Sequence, residues 1–158
     1  MKYGTKTRTL RGTISAVAGK AEKNLIVDDL RINEGLVIEE FVIWPQRGFS
    51  TVPRTCNAIL SYSALGDAAE LMDAGDNTQF GWAAFDYSQI APAPPGIGGN
   101  NFNQFNYIDP NHIVNRDMFL SLRLSTSGIP FNYLIICRQV ELSDNEAIIT
   151  IIKENSQS

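Results

Sequence analysis

The sequence predicts an all-β fold: one antiparallel β-sandwich, with a single jelly roll as its preferred winding and a short C-terminal helix. Three observations point there. Roughly seven or eight short apolar runs are separated by Gly, Pro, Asn and Asp turn signals. Helical spacing is confined to residues 64–73 and to the tail, whereas a parallel sheet needs a crossover between successive strands. The chain has 158 residues, 44% of them hydrophobic, which suits a single domain over residues 1–158 with one core.

Residues 1–6 read as an N-terminal arm, and Thr7 to Val17 as the first strand. Gly19, Lys20 and Asn24 then mark a turn, Leu25-Ile26-Val27 is a short apolar run closed by Asp28-Asp29, and Asn33-Glu34-Gly35 is a second turn. Leu36 to Trp44 is a strong strand. Strict alternation puts Leu36, Ile38, Val42 and Trp44 on one face and Val37, Phe41 and Ile43 on the other, and Pro45 stops the ladder. Thr55 to Tyr62 and the aromatic-rich Thr78 to Tyr87 follow as strands. Residues 91–101 form a long Pro/Gly loop, because proline locks φ and glycine frees it. Phe102 to Ile108 and His112 to Val114 flank the Asp109-Pro110 turn. In Asp117 to Leu124, Met118, Leu120, Leu122 and Leu124 share a face. Phe131 to Leu142 is the most apolar strand, with Tyr133, Ile135 and Cys137 on one face and Leu134, Ile136 and Val140 on the other. Residues 143–156 change period. Ser143-Asp144-Asn145-Glu146 has the form of a capping box, and Ile148, Ile149, Ile151 and Ile152 follow helical spacing, which favours a short helix over a last strand, the alternative that Ile-Ile-Thr-Ile-Ile also suits.

Charge and composition exclude several function classes. The net charge is −4, with 17 acidic and 13 basic residues, and no basic face is evident for specific nucleic-acid binding. The densest cationic stretch is Lys6, Arg8 and Arg11, which reads as part of a solvated surface. No apolar run is long enough to span a membrane, and Met1-Lys2-Tyr3-Gly4-Thr5 lacks a secretion signal or a myristoylation glycine, so folding in a cytosol is the expectation. Cys56 and Cys137 each sit inside a strand-like run and read as buried reduced thiols, neither of them at metal-ligand spacing.

No catalytic constellation emerges. His112 is the only histidine, it stands three residues after Asp109, and no G-x-S-x-G elbow accompanies it, so a structural role is expected. Glu39-Glu40 cannot line one cleft if their strand is regular, since neighbours point to opposite faces. Asp73-Ala74-Gly75-Asp76-Asn77 fails as a calcium loop, with Gly75 at the third position and Ala84 at the twelfth, and reads as a turn. Gly96-Ile97-Gly98-Gly99 matches no phosphate loop. The expectation is a protein that is not an enzyme and carries no cofactor or metal.

What remains is surface. The loop and its flank supply candidate subunit contacts: Pro92, Pro94, Pro95, Ile97, Phe102 and Phe105. Aromatics at Trp44, Trp82, Phe85, Tyr87, Phe102, Phe105 and Tyr107 belong mostly to the core on this reading. Under the alternative of a lectin-like carbohydrate-binding or receptor-attachment module, Trp82 and Tyr87 are the residues that would stack on a glycan.

Three segments carry a resemblance. They are Gly75-Asp76-Asn77-Thr78-Gln79 with Trp82, Ile108-Asp109-Pro110-Asn111-His112 with Asp117, and Ser143-Asp144-Asn145-Glu146-Ala147 leading to Ile151-Ile152-Lys153-Glu154 with Ser156-Gln157. In these the chain resembles small β-rich structural proteins of bacteriophage virions. The resemblance implies a jelly-roll subunit of a capsid, vertex or surface decoration, without enzymatic activity. Such a protein would be made in the host cytoplasm, reside in the virion, and have as partners copies of itself and other virion proteins. No membrane and no specific nucleic acid would be engaged, while a host-surface glycan would be the partner under the alternative.

Overall fold

A computed structural model describes residues 2–17, 19–25, 32–46, 54–66, 72–90, 99–124 and 130–156. Among these it contains nine strands and one helix: β1 (Lys2–Ile14), β2 (Lys20–Asn24), β3 (Glu34–Pro45), β4 (Arg54–Ser61), β5 (Gln79–Ile90), β6 (Gly99–Ile108), β7 (Ile113–Val114), β8 (Phe119–Leu124), β9 (Phe131–Glu141) and α1 (Asp144–Ser156). The strands form a four-stranded sheet of order β1-β9-β3-β7 and a five-stranded sheet of order β2-β8-β4-β5-β6. All the pairings are antiparallel. With β6 set aside as an added edge strand, the pairs nest: β1 with β9, β2 with β8, β3 with β7 and β4 with β5. That nesting is a long hairpin rolled on itself, the winding of a jelly roll.

The core lies between the sheets. From the four-stranded sheet come Ile14, Leu36, Ile38, Phe41, Ile43, Phe131, Tyr133, Ile135 and Cys137; from the other come Cys56, Ala58, Leu60, Phe80, Ala83, Phe85, Leu120 and Leu122. Phe85 of β5 meets Phe131 of β9 edge to face at 5.9 Å, tying the layers together. Each fully buried Phe or Leu adds on the order of 2 kcal/mol of transfer free energy, which explains why these positions carry large apolar side chains.

β3 departs from strict alternation. Its ladder with β9 shifts register between Ile38 and Glu40, so Glu39 is an extra residue. One extra residue reverses the facing of everything beyond it. Leu36 and Ile38 before the bulge, and Phe41 and Ile43 after it, therefore all reach the core. Val37 faces outward under the helix, and Trp44 is exposed. The expected grouping of Ile38 with Val42 and Trp44 is corrected by this bulge.

Three boundaries are also corrected. Residues 2–6 continue β1 instead of preceding it as an arm, because the long β9 offers partners as far as Lys2 opposite Glu141 and Tyr3 opposite Val140. Lys20 and Asn24 are the ends of β2, not of a turn. The charged segment pairs with β8 and buries little, so pairing alone makes it a strand. The turn into it falls at Gly19, whose φ of 81° needs glycine. Residues 99–101 belong to β6, since the β5 ladder runs on to Ile90 opposite Gly99. The remainder of the expected loop, residues 91–98, lies outside the described residues, as do residues 67–71 of the helical stretch expected at 64–73.

The helix forms where the capping box places it. The Ser143 amide donates to Glu146 Oε2 at 2.9 Å, and the Glu146 amide donates to Ser143 Oγ at 3.3 Å. Ala147 packs with Val37, Val140, Leu142 and the partly buried Ile113 on the outer side of the four-stranded sheet.

Candidate functional site

Two regions collect side chains that a passive core does not use. The first is the outer face of β5 and β6. Trp82 stands opposite Tyr107, Ala84 opposite Phe105, and Asp86 opposite Asn103. Side chains alternate across a strand, so Trp82, Phe105 and Tyr107 share the outward face. Tyr107 is 67% exposed and Phe105 is 38% exposed. Their rings are 5.6 Å apart and tilted by 34°. Trp82 is half-buried, and its indole N–H donates to Gln79 Oε1 at 2.8 Å. At the polar end of the patch the Thr55 hydroxyl donates to Asp86 Oδ1 at 2.9 Å. From the opposite side of β6, Phe102 is 50% exposed and touches Phe85 edge to face, while Gln104 donates to the Ile43 carbonyl of the other sheet.

This places the sequence candidates. Phe102 and Phe105 are exposed on β6. Pro92, Pro94, Pro95 and Ile97 lie outside the described residues. Trp82 is at the surface, but Tyr87 is corrected: it points inward from β5, is only 7% exposed, and cannot stack on a sugar. Sequence reading named Tyr107 among the aromatics of the 102–107 run without choosing it as a contact or stacking residue, and missed Gln79 as the residue that orients Trp82. Tyr107 had a readable signal, since it sits two residues from Phe105 on the same face.

The second region is a cleft of about 320 Å³ where the β6–β7 turn, the chain beyond β4 and the helix meet, lined by Tyr62, Asn77, Asp109, His112, Thr150 and Lys153. The Asp109 carboxylate accepts the Asn111 amide at 2.9 Å, which closes the Asp-Pro-Asn turn and holds His112 in place. The imidazole stacks on Phe80 at 4.2 Å between ring centroids and is parallel to Tyr62 at 5.8 Å. Its Nε2 is buried without a hydrogen-bond partner among the described residues. Burial pushes the His112 pKa down to about 4; nearby Asp109 opposes this and Lys153 reinforces it. The ring is thus neutral near pH 7, and its stacking accounts for a histidine at this position.

Other candidates resolve as structure. Burial holds both cysteine thiols protonated, with Cys137 pushed up to about 12 and Cys56 further, so neither is a thiolate nucleophile. The 73–77 segment is a pair of side-chain turns: Asp73 Oδ1 accepts the Gly75 amide, and Asp76 Oδ1 accepts both the amide and the hydroxyl of Thr78. Burial raises the Asp76 pKa, but the hydrogen bonds from Thr78 and Gln79 outweigh it and hold the carboxyl below its usual range. The bulge at Glu39 removes the regularity that would have separated Glu39 from Glu40. Both are exposed, Glu40 stands opposite the outward-facing Ile136, and Glu39 makes an ion pair with Arg138 at 2.6 Å. Among the described residues no three His, Cys, Asp or Glu side chains gather to hold a metal, and no helix is long and apolar enough to cross a membrane.

Comparison with known protein families, with curated proteins and with solved structures finds no match to this chain.

Proposed function

We propose that this chain is a non-catalytic structural subunit of a bacteriophage virion, a capsid, vertex or decoration protein that acts by docking on copies of itself and on other virion proteins. One observation carries the reading: large apolar side chains are exposed in two separate patches. Phe102, Phe105 and Tyr107 lie on the edge of the five-stranded sheet, and Ile148, Ile149 and Ile152 lie on the helix that covers the four-stranded sheet. A subunit of a closed assembly meets more than one neighbour and needs contact surface on more than one side. Aromatic and apolar side chains at such places are the composition of interface cores. The jelly roll agrees, being the fold of many capsid subunits, although lectins and cupins share it and a fold alone names no function. The sequence resemblance to virion proteins points the same way, as does the scarcity of charge, 19% of residues.

A second reading rests on the same outer face. Trp82, Phe105 and Tyr107 with Asp86 and Asn103 have the elements of a glycan platform, aromatic rings on one face with amide and carboxylate groups beside them. It competes as a host-attachment function. Mass photometry and negative-stain electron microscopy of the purified chain separate the two when combined with a glycan array. The subunit reading expects symmetric oligomers or shells and a blank array. A monomer that selects one glycan class would replace it with the attachment reading, and turnover of a substrate would remove both.

A further inference from the structure

The sandwich has four strand edges among the described residues: β1 and β7 on one sheet, β2 and β6 on the other. An open edge invites another strand, and proteins blunt it with short length, charge or irregular pairing. β1 carries Lys2, Lys6, Arg8 and Arg11, and its ladder shifts between Tyr3 and Thr7. β7 is two residues long. β2 has five residues, of which Lys20, Glu22 and Lys23 are charged. β6 has none of these devices. It runs ten residues as GNNFNQFNYI, with no charge and no proline. Its ladder with β5 is unbroken from Ile108 opposite Gly81 to Gly99 opposite Ile90. Residues 102–107 are all exposed, on both faces of the strand.

We infer that β6 is the docking edge for a second copy of this chain, which adds its own β6 antiparallel across a two-fold axis and joins the two five-stranded sheets into one. The inference rests on the subunit reading and narrows it to one interface. Two features select a second copy as the occupant. An uncharged strand meets itself without the like-charge pairs that make most self-pairings unfavourable. The side chains also complement their own kind. With Phe105 opposite Phe105 on the axis, Phe102 faces Ile108, Gln104 faces Asn106, and Asn103 faces Tyr107. Each face then pairs like with like, apolar with apolar and amide with amide, except where Asn103 lies against the Tyr107 ring. Such a contact is isologous and closes on itself, so the exposed backbone edge is used up in the dimer.

Light scattering of the full chain tests it. The wild type is expected to have the mass of a dimer or of an assembly of dimers. Phe105→Lys and Phe105→Glu each set like charges against each other on the axis. Each variant is expected to fall to the monomer mass, or to half-sized assemblies, with an unchanged circular dichroism spectrum, and mixing the two is expected to restore the wild-type mass. Phe105→Cys is expected to give a disulfide-linked dimer on oxidation. The wild type should give none, because Cys56 and Cys137 are buried. If the charged variants fail to fold, the absence of a cross-linked Phe105→Cys dimer is enough to overturn the pairing. A wild type that stays monomeric at millimolar concentration overturns it too, as does a β6 edge engaged only by a different protein. Oligomers that survive both charged variants overturn the β6 pairing while leaving the subunit reading standing. A glycan-selective monomer removes both.

Discussion

The two outer faces of the sandwich are covered by different means. Over the four-stranded sheet, α1 is held by apolar contact: Ala147 against Val37, Val140 and Leu142. Over the five-stranded sheet, the described parts of the chain between β4 and β5, residues 62–66 and 72–78, are held by a few polar side chains. Gln79 Oε1 accepts the Asp73 amide and the Trp82 indole N–H, while its Nε2 donates to Asp76. Glu22 Oε2 accepts the amides of Leu65 and Gly66 and the hydroxyl of the buried Ser121. On the same face Ile59 is fully buried although it points away from the core. The apolar cover draws its stabilisation from buried area, so the cost of a change there scales with the side chain removed. The polar cover concentrates it in two side chains whose loss strands several partners at once.

This contrast can be broken from either side. Leu142→Ala removes a buried side chain under the helix and is expected to cost roughly 2–5 kcal/mol in urea denaturation, the largest effect. Where the two covers meet, His112 supplies a pH test. Its folded pKa of about 4 lies below the ordinary 6.5. The folded protein therefore binds fewer protons between those values, so this stability is complete above pH 6.5 and is lost as the pH falls toward 4. The loss is up to about 3 kcal/mol, and His112→Phe, which keeps a stacking ring, should flatten that part of the pH profile of melting temperature. Gln79→Ala leaves the Asp73 amide and the Trp82 indole without their acceptor and is expected to cost about 1–3 kcal/mol. Trp82 fluorescence should change with it, while the far-ultraviolet circular dichroism of the helix stays as it was. Ser143→Ala removes one half of the capping box, with an expected loss of about 1 kcal/mol confined to the helix. Equal losses from Leu142→Ala and Gln79→Ala, both unfolding the same amides in hydrogen exchange, would erase the distinction between the covers.

The same contrast explains what was legible in the residues. The apolar cover was readable, because a capping box and isoleucines at helical spacing state their structure locally. The polar cover was not: Gln79 and Glu22 look like any surface residue until the fold brings amides to them. The candidate surface was half legible. Phe102 and Phe105, named as candidate contacts, are exposed, but the facing of Trp82 and Tyr87 followed from which side of β5 the second sheet covers. Trp82 is outward and Tyr87 inward, though both are aromatics of one strand.

By itself the sequence determined the strand-rich class, most strand positions and the absence of a catalytic motif, and through its capping box it favoured the helix over a last strand. Each of these is a local matter of alternation, turn chemistry or composition, carried by neighbouring residues. Tertiary structure alone decided that Lys20–Asn24 is a strand, that the extra residue at Glu39 turns Leu36, Ile38, Phe41 and Ile43 onto one face, and that β6 is an edge strand among the described residues. Those outcomes depend on which strand becomes whose neighbour. Hydrogen-bonded partners lie far apart along the chain, and no local pattern of side chains records the pairing.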